Sequence, residues 1–353
     1  MPDIGYTKKK EKKKQTQREH PHRNILTRKP QSCKTAKLQN TNEKDKSLTP
    51  SNRNTTHNHF SQKPTHIMKD YLLPLSFYPN STSLFYRNLH EIIGSFLMYS
   101  IIYQFLCDPI IKHLIFPRYP HYFSKLKSSQ PKTFKEYLNF KIHIVAMVQC
   151  ILSIILVSKN LFKQPLNLDI TEYQDDYSTM VSSVTIGYFL WDLYVCIRWY
   201  SLFQMEFLVH ALASLAVFVS TLRPFAQSWV SKFLIFELSS PFVNINWFIS
   251  NILIKVLGVT SVPLWINALN GLMLISTFTV VRIFWGFSAV MILCYNVYAF
   301  GMYKNVNFSF SLMAMILIIN FLMNCLNVFW LSKMLQIAKK MLMGSSKDGH
   351  KKI

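Results

Sequence analysis

The sequence predicts an all-α, multi-pass transmembrane helical bundle behind a disordered, basic N-terminal tail. Three observations carry this. Half of the 353 residues are hydrophobic and 14% are aromatic, and the mean hydropathy is +0.15 although the first fifth of the chain is very polar. Beyond residue 85, apolar runs recur at lengths near or above the roughly 20 residues that cross a bilayer as a helix. No charge-rich soluble domain stands between these runs, so any chemistry must come from membrane helices and short loops.

Residues 1–69 form the tail. They hold 17 Lys/Arg against 5 Asp/Glu, which is 12 of the formal net charge of +22, and six lysines sit in KKKEKKK at 8–14. Almost no aromatic or branched apolar residue is present to offset chain entropy, so this segment is expected to be disordered. No stacking aromatics are interleaved with its charge and no binding fold surrounds it, which argues against nucleic acid and for an anionic lipid surface or plain solubility. The start MPDIGYTKKK lacks the basic-then-apolar order of a cleaved signal peptide, so the first transmembrane helix is expected to direct insertion.

Residues 70–132 hold the first transmembrane helix and a basic loop, and residues 133–340 the remaining spans. The apolar runs fall near 92–115, 141–161, 178–200, 204–222, 232–257, 264–302 and 306–335. Seven helical spans are the best count. The sixth run is too long for one perpendicular helix, so VPLWINALN (262–270) is expected to be an interfacial turn or half-helix. Residues 341–353 are a second basic tail.

Loop charge gives an orientation. Arg118, Lys125, Lys127, Lys132 and Lys135 lie between the first two spans against Glu136 alone, whereas Asp169, Glu172, Asp175 and Asp176 lie between the second and third. The first loop and the C-terminus are therefore expected in the cytosol. Seven spans put the basic N-terminus in the lumen; a first run that only dips into the membrane leaves six spans and both ends cytosolic. The ending GHKKI places Lys351 as in a dilysine retrieval signal, with His350 in place of the second lysine. Sequons stand at Asn54, Asn80 and Asn307.

Several classes are excluded by counting. The 11 histidines offer no HxxxH or HxxHH clusters of the membrane di-iron kind, and a Walker loop, GxSxG, HExxH and GxGxxG are absent. Acids do not cluster as metal ligands, and the six cysteines never approach CxxC spacing. Neither a metal nor another cofactor is expected.

The informative residues are the polar ones in the spans. Thr185, Tyr188, Asp192 and Cys196 share a helical stripe, His210 shares a face with Ser214, Val217 and Thr221, and Glu237, Ser240, Pro241 and Asn244 follow helical spacing in FELSSPFVNINWF. Arg282 lies in TFTVVRIFWGF, and Asn320, Asn324 and Asn327 repeat the helical step. An intramembrane charge costs on the order of 3 kcal/mol or more, so Asp192, Glu237 and Arg282 are expected to turn inward. Structural ion pairing, a core histidine at His210 and interhelical hydrogen bonds along the asparagine row are the plainer alternatives. Pro241 frees the Glu237 carbonyl four residues earlier, which marks irregular backbone there.

At GYFLWDL (187–193), His210, FELSSPFVNINWF (236–248) and LNGLMLISTFTVVRIFWG (269–286) the chain resembles the TLC-domain family, which includes ceramide synthases and translocating-chain-associating membrane proteins. The resemblance spans roughly 133–340. It implies a six-helix barrel, here preceded by one helix, around a lipid-binding cavity in the endoplasmic reticulum, with a membrane lipid (acyl chain or sphingolipid-like) as ligand. In ceramide synthases a histidine pair and an HDxxD pattern carry acyl transfer. Here His210 follows Val209, and Phe236, Glu237 and Ser240 stand at the HDxxD positions. Loss of half a cooperating set argues against ceramide synthesis. The expected role is lipid handling in membrane homeostasis, with Asp192, His210, Glu237, Asn244 and Arg282 binding the lipid. The alternatives are an acyl-coenzyme A-dependent acyltransferase using His210 and Glu237, and a membrane chaperone or translocon partner.

Overall fold

In a computed structural model, residues 69–115, 124–125, 127, 131–162, 164–223, 225–254 and 262–349 are described. The basic tail, the GHKKI ending and the sequon at Asn54 lie outside these residues. Seven long helical segments make up the described chain: α1 (Leu89–His113), α2 (Pro131–Ser158), α3 (Asp176–Arg198), α4 (Gln204–Ser220), α5 (227–253), α6 (Leu264–Ala299) and α7 (Phe310–Gly349). Five of them, all but α4 and α5, are long and apolar enough to cross a membrane.

Around the bundle α3 packs on α4, α4 on α7, α7 on α6, α6 on α5, α5 on α2, and α2 on α3. Six helices thus close a ring, and α1 lies outside it against α2 and α3. The α1–α3 crossing is close. A Cβ at Gly187 would meet the Ile92 carbonyl and Ser95 Cβ at 2.5 Å, and Ser95 Oγ donates to the Val184 carbonyl at 2.7 Å. Small residues let the backbones approach, as in other membrane helix pairs. α3 is accordingly the most enclosed span, with 67% of its apolar window buried against 22–44% for the others measured.

Backbone irregularity is concentrated in three helices. Pro109 cannot donate within α1, and π-helical turns flank it at Ile102–Leu106 and Ile110–Ile115. α5 is segmented into 3₁₀, α, 3₁₀, α and π turns, and Pro241 sits at the start of its Ser240–Phe248 stretch. α6 corrects an expectation: residues 264–270 are neither turn nor separate half-helix. The helix runs unbroken from Leu264 to Ala299, with Pro263 at its N-cap and a π turn at Thr279–Phe284. At 36 residues, about 54 Å, it outreaches the hydrocarbon core and must tilt or protrude.

One end of the bundle is closed by a buried polar layer. Asp175 caps α3, accepting from the Ser178 amide at 3.0 Å and its hydroxyl at 2.8 Å, and the Asp175 amide donates to Gln227 Oε1 at 3.1 Å. Gln227 in turn donates to the Thr221 carbonyl at 2.9 Å. Gln164 donates to the Tyr173 hydroxyl at 2.8 Å and to Ser178 at 3.0 Å. Burial pushes the Tyr173 phenol pKa up. Asn296 at the end of α6 reaches the Leu166 carbonyl at 2.7 Å, and Arg87 just before α1 pairs with Asp176. These contacts place the starts of α1, α3, α5 and α7 at one end, so the start of α1 and the end of α7 lie at opposite ends. The sequons at Asn80 and Asn307 are exposed at the closed end.

Candidate functional site

Four ionisable side chains come from four successive ring helices. Asp192 lies on α3, His210 on α4, Glu237 in the Ile235–Ser239 3₁₀ turn of α5, and Arg282 in the π turn of α6. Each is half-buried. The four do not stand alone. Glu237 is within electrostatic range of Asp192 and Arg282, and also of Tyr99, Cys150 and Tyr188; Arg282 is within range of His210.

Arg282 is positioned by serines. Its Nε donates to Ser239 Oγ at 2.9 Å and a terminal nitrogen to Ser240 Oγ at 3.3 Å, while its guanidinium lies 5.4 Å from the Phe278 ring centre. Among the described residues no ion pair joins it to Glu237 or Asp192. A cation held by neutral hydroxyls keeps its charge available, with donors left over from a fork that suits anionic or hydroxyl oxygens.

His210 is framed edge-on by Phe189 of α3 at 6.3 Å and Trp330 of α7 at 6.2 Å, and its Nδ1 has no hydrogen-bond partner. Asp192 is flanked by Cys196 Sγ at 4.0 Å. Tyr188, one turn earlier, stacks on Trp191 and meets Tyr99 edge-on at 5.2 Å. Of the predicted stripe on α3, Tyr188 thus meets α1, outside the ring. Tyr99, Cys150, Tyr188, Trp330 and Ser239 join the site without having been singled out for it by the sequence, except Tyr188 as a member of the stripe.

Asn244 is turned toward α2. Its Oδ1 lies 2.7 Å from His143 Nδ1 on α2, its Nδ2 points at Cys150 Sγ at 4.0 Å, and only 4% of it is exposed. His143 is itself stacked on Trp247 at 4.2 Å. In the asparagine row, Asn324 Nδ2 reaches the Gly286 carbonyl on α6 at 3.4 Å, while Asn320 bonds its own helix at Ile316. No three His, Cys, Asp or Glu side chains come together as a metal site among the described residues.

A profile of the TLC domain matches residues 139–336. The chain is 39% identical over 267 residues to Topoisomerase I damage affected protein 4 of Saccharomyces cerevisiae, covering 76% of this chain and 90% of that one. The chain belongs to the TLC-domain family. It is also 32% identical over 270 residues to an uncharacterized TLC domain-containing protein of Schizosaccharomyces pombe, covering 74% and 82% of the two chains. A second such protein of Saccharomyces cerevisiae is 36% identical over 172 residues, about half of each chain. No solved structure matches. As a TLC-domain protein it is a multi-pass membrane protein, and its ring of six helices with one outside agrees with the architecture implied by the resemblance.

Proposed function

We propose that this TLC-domain protein holds a membrane lipid inside its six-helix ring, in the endoplasmic reticulum, and acts in membrane lipid homeostasis. One observation supports the reading: Asp192, Glu237, Arg282 and His210, from four ring helices, are linked each to the next within electrostatic range, and among the described residues no ion pair joins them. Such groups are too costly in a membrane interior to be idle. A polar headgroup supplies what they lack, its anionic or hydroxyl oxygens meeting Arg282 and its donors meeting Glu237 and Asp192. The aromatic surround of Phe189 and Trp330 suits the first carbons of an acyl chain.

The buried polar layer bars one end of the ring. Asp192 lies 16 residues beyond the start of α3 at that layer, about 24 Å along the helix, so entry comes from the opposite, basic end or from the side. With the basic loops in the cytosol, the closed end faces the lumen.

The acyltransferase alternative needs a base that is held in place. Among the described residues no hydrogen bond links Glu237 to His210, and the charge within range of the imidazole is the Arg282 guanidinium. Lipid holding therefore fits the geometry better. The test is purification of the full chain in polymer discs, followed by lipid mass spectrometry against the surrounding membrane. One lipid class should be enriched, and Arg282→Ala should remove that enrichment without loss of monodispersity. An empty bundle, or lipid unchanged in Arg282→Ala and Asp192→Asn, rejects the reading.

A further inference from the structure

Two sequons stand exposed at the closed end, Asn80 with Thr82 and Asn307 with Ser309, and the site inside the ring uses neither. The fold holds them differently. Asn80 is the second central residue of a turn in which the Ser81 amide donates to the Tyr78 carbonyl at 3.0 Å, and Pro79 sets the first. Asn80 and Thr82 are both exposed, and among the described residues no hydrogen bond engages either side chain. The turn is fastened to this end of the bundle. Ser76 Oγ donates to the Arg87 carbonyl at 2.5 Å, and Arg87 pairs with Asp176 at the start of α3.

The Asn307 sequon is instead built into the bundle. Phe308, between its two polar members, meets Phe225 at 5.9 Å and Phe310 at 4.9 Å. Ser309 Oγ shares a hydrogen bond with Ser311 at 3.1 Å and accepts from the Leu312 amide at 3.4 Å, in the first turn of α7. Tether length separates the two further. Asn307 stands three residues before α7 at Phe310, in a loop also fixed to α6 at Ala299, whereas Asn80 stands nine residues before Leu89 of α1. Extended chain covers at most ~3.6 Å per residue, so the acceptor amide reaches about 10 Å from its span at Asn307 and about 30 Å at Asn80. A transferase whose catalytic centre stands above the bilayer surface is within reach of Asn80 alone.

We propose that Asn80 carries an N-linked oligosaccharide and that Asn307 does not. This rests on the lumenal placement of the closed end and not on the bound lipid. The donor is a polyprenyl-diphosphate-linked oligosaccharide. Asn80 Nδ2 attacks C1 of its terminal sugar: the C1–N bond forms, the C1–O bond to the diphosphate breaks, the amide releases one proton, and the lipid diphosphate leaves. Nothing is oxidised or reduced. Thr82 supplies the hydroxyl two residues on that defines an acceptor. An exposed turn takes a bulky polar glycan without displacing packed side chains.

The test uses the full chain with a C-terminal epitope, expressed in yeast with Asn54→Gln so that only these two sequons remain. Endoglycosidase H should raise its gel mobility by one glycan, and peptide mapping should find the residual sugar on Asn80. Asn80→Gln and Thr82→Ala should each abolish the shift, and Asn307→Gln should leave it unchanged. No sugar on Asn80, or sugar on Asn307, overturns the proposal. Protease added to sealed microsomes separates the two ways of failing. An unglycosylated chain whose epitope is cut keeps the orientation and rejects the acceptor; one whose epitope is protected rejects both.

Discussion

Gly187 of α3 lies under Ser95 of α1 so closely that a Cβ at Gly187 would stand 2.5 Å from that of Ser95 and 2.5 Å from the Ile92 carbonyl. Backbone cannot yield as a flexible side chain would. Gly187→Ala should therefore cost about 1–3 kcal/mol through overpacking, read as a lower thermal midpoint in detergent, whereas Gly94→Ala, where a Cβ would meet nothing within 4 Å, should not lower it. Equal midpoints for the two variants would refute the close crossing.

The two serines that accept from Arg282 give a second prediction. Ser239→Ala with Ser240→Ala should leave the guanidinium without protein acceptors and destabilise the bundle by about 1.5–3 kcal/mol per lost bond to a charged group. A saturating amount of the enriched lipid should restore part of that in a thermal shift assay. No recovery with lipid would detach Arg282 from the ligand.

Asn244 separates structural from binding roles on α5. Its partners are His143 and Cys150, so Asn244→Leu should lower stability by about 1–3 kcal/mol, the cost of stranding a buried polar partner, while the surviving folded fraction keeps its lipid. Loss of lipid at unchanged stability would return Asn244 to the binding set, where its spacing from Glu237 had placed it.

Asp175 holds the closing layer. Asp175→Ala removes the cap on α3 and a contact to Asn160, and should cost about 1–2 kcal/mol or more given its burial. Limited proteolysis within 159–175 should accelerate in parallel. Resistance equal to the parent chain would show that the layer does not depend on this cap.

Orientation follows from exposed positions at that end. Phe162 and Val306 are 90% and 94% exposed. In sealed microsomes, single cysteines there, in a background lacking the native thiols, should resist a membrane-impermeant maleimide until detergent is added. A C-terminal epitope should be open to protease from the start. The reverse pattern would turn the bundle over.

Much of this was legible in sequence. Apolar length alone marks the spans, and an inward turn of Asp192, Glu237 and Arg282 is expected from what a charge costs in hydrocarbon. The α6 helix was misjudged because its run was read as too long for one perpendicular helix, whereas all 36 residues fit a helix that tilts or protrudes. Pro263 precedes the first turn, where no amide is needed, and Asn270 donates to the Phe242 carbonyl at 3.3 Å. The burial of Glu91 was invisible for a different reason. YRNLHEII reads as a polar flank of a span, and nothing in its spacing says that α3 and the segment before α1 cover it.

The π turn at Thr279–Phe284 amounts to one surplus residue in a helix that would otherwise keep strict phase. Winding the same residues as regular α-helix, without the wide turn, would rotate the rest of the helix by roughly 100° relative to what precedes it. Gly286, Ala289, Leu293 and Asn296, now sheltered, would swing out toward lipid together. That surplus is what lets one rod serve two neighbours, aiming Arg282 at α5 on one side and presenting Gly286 to Asn324 of α7 on the other.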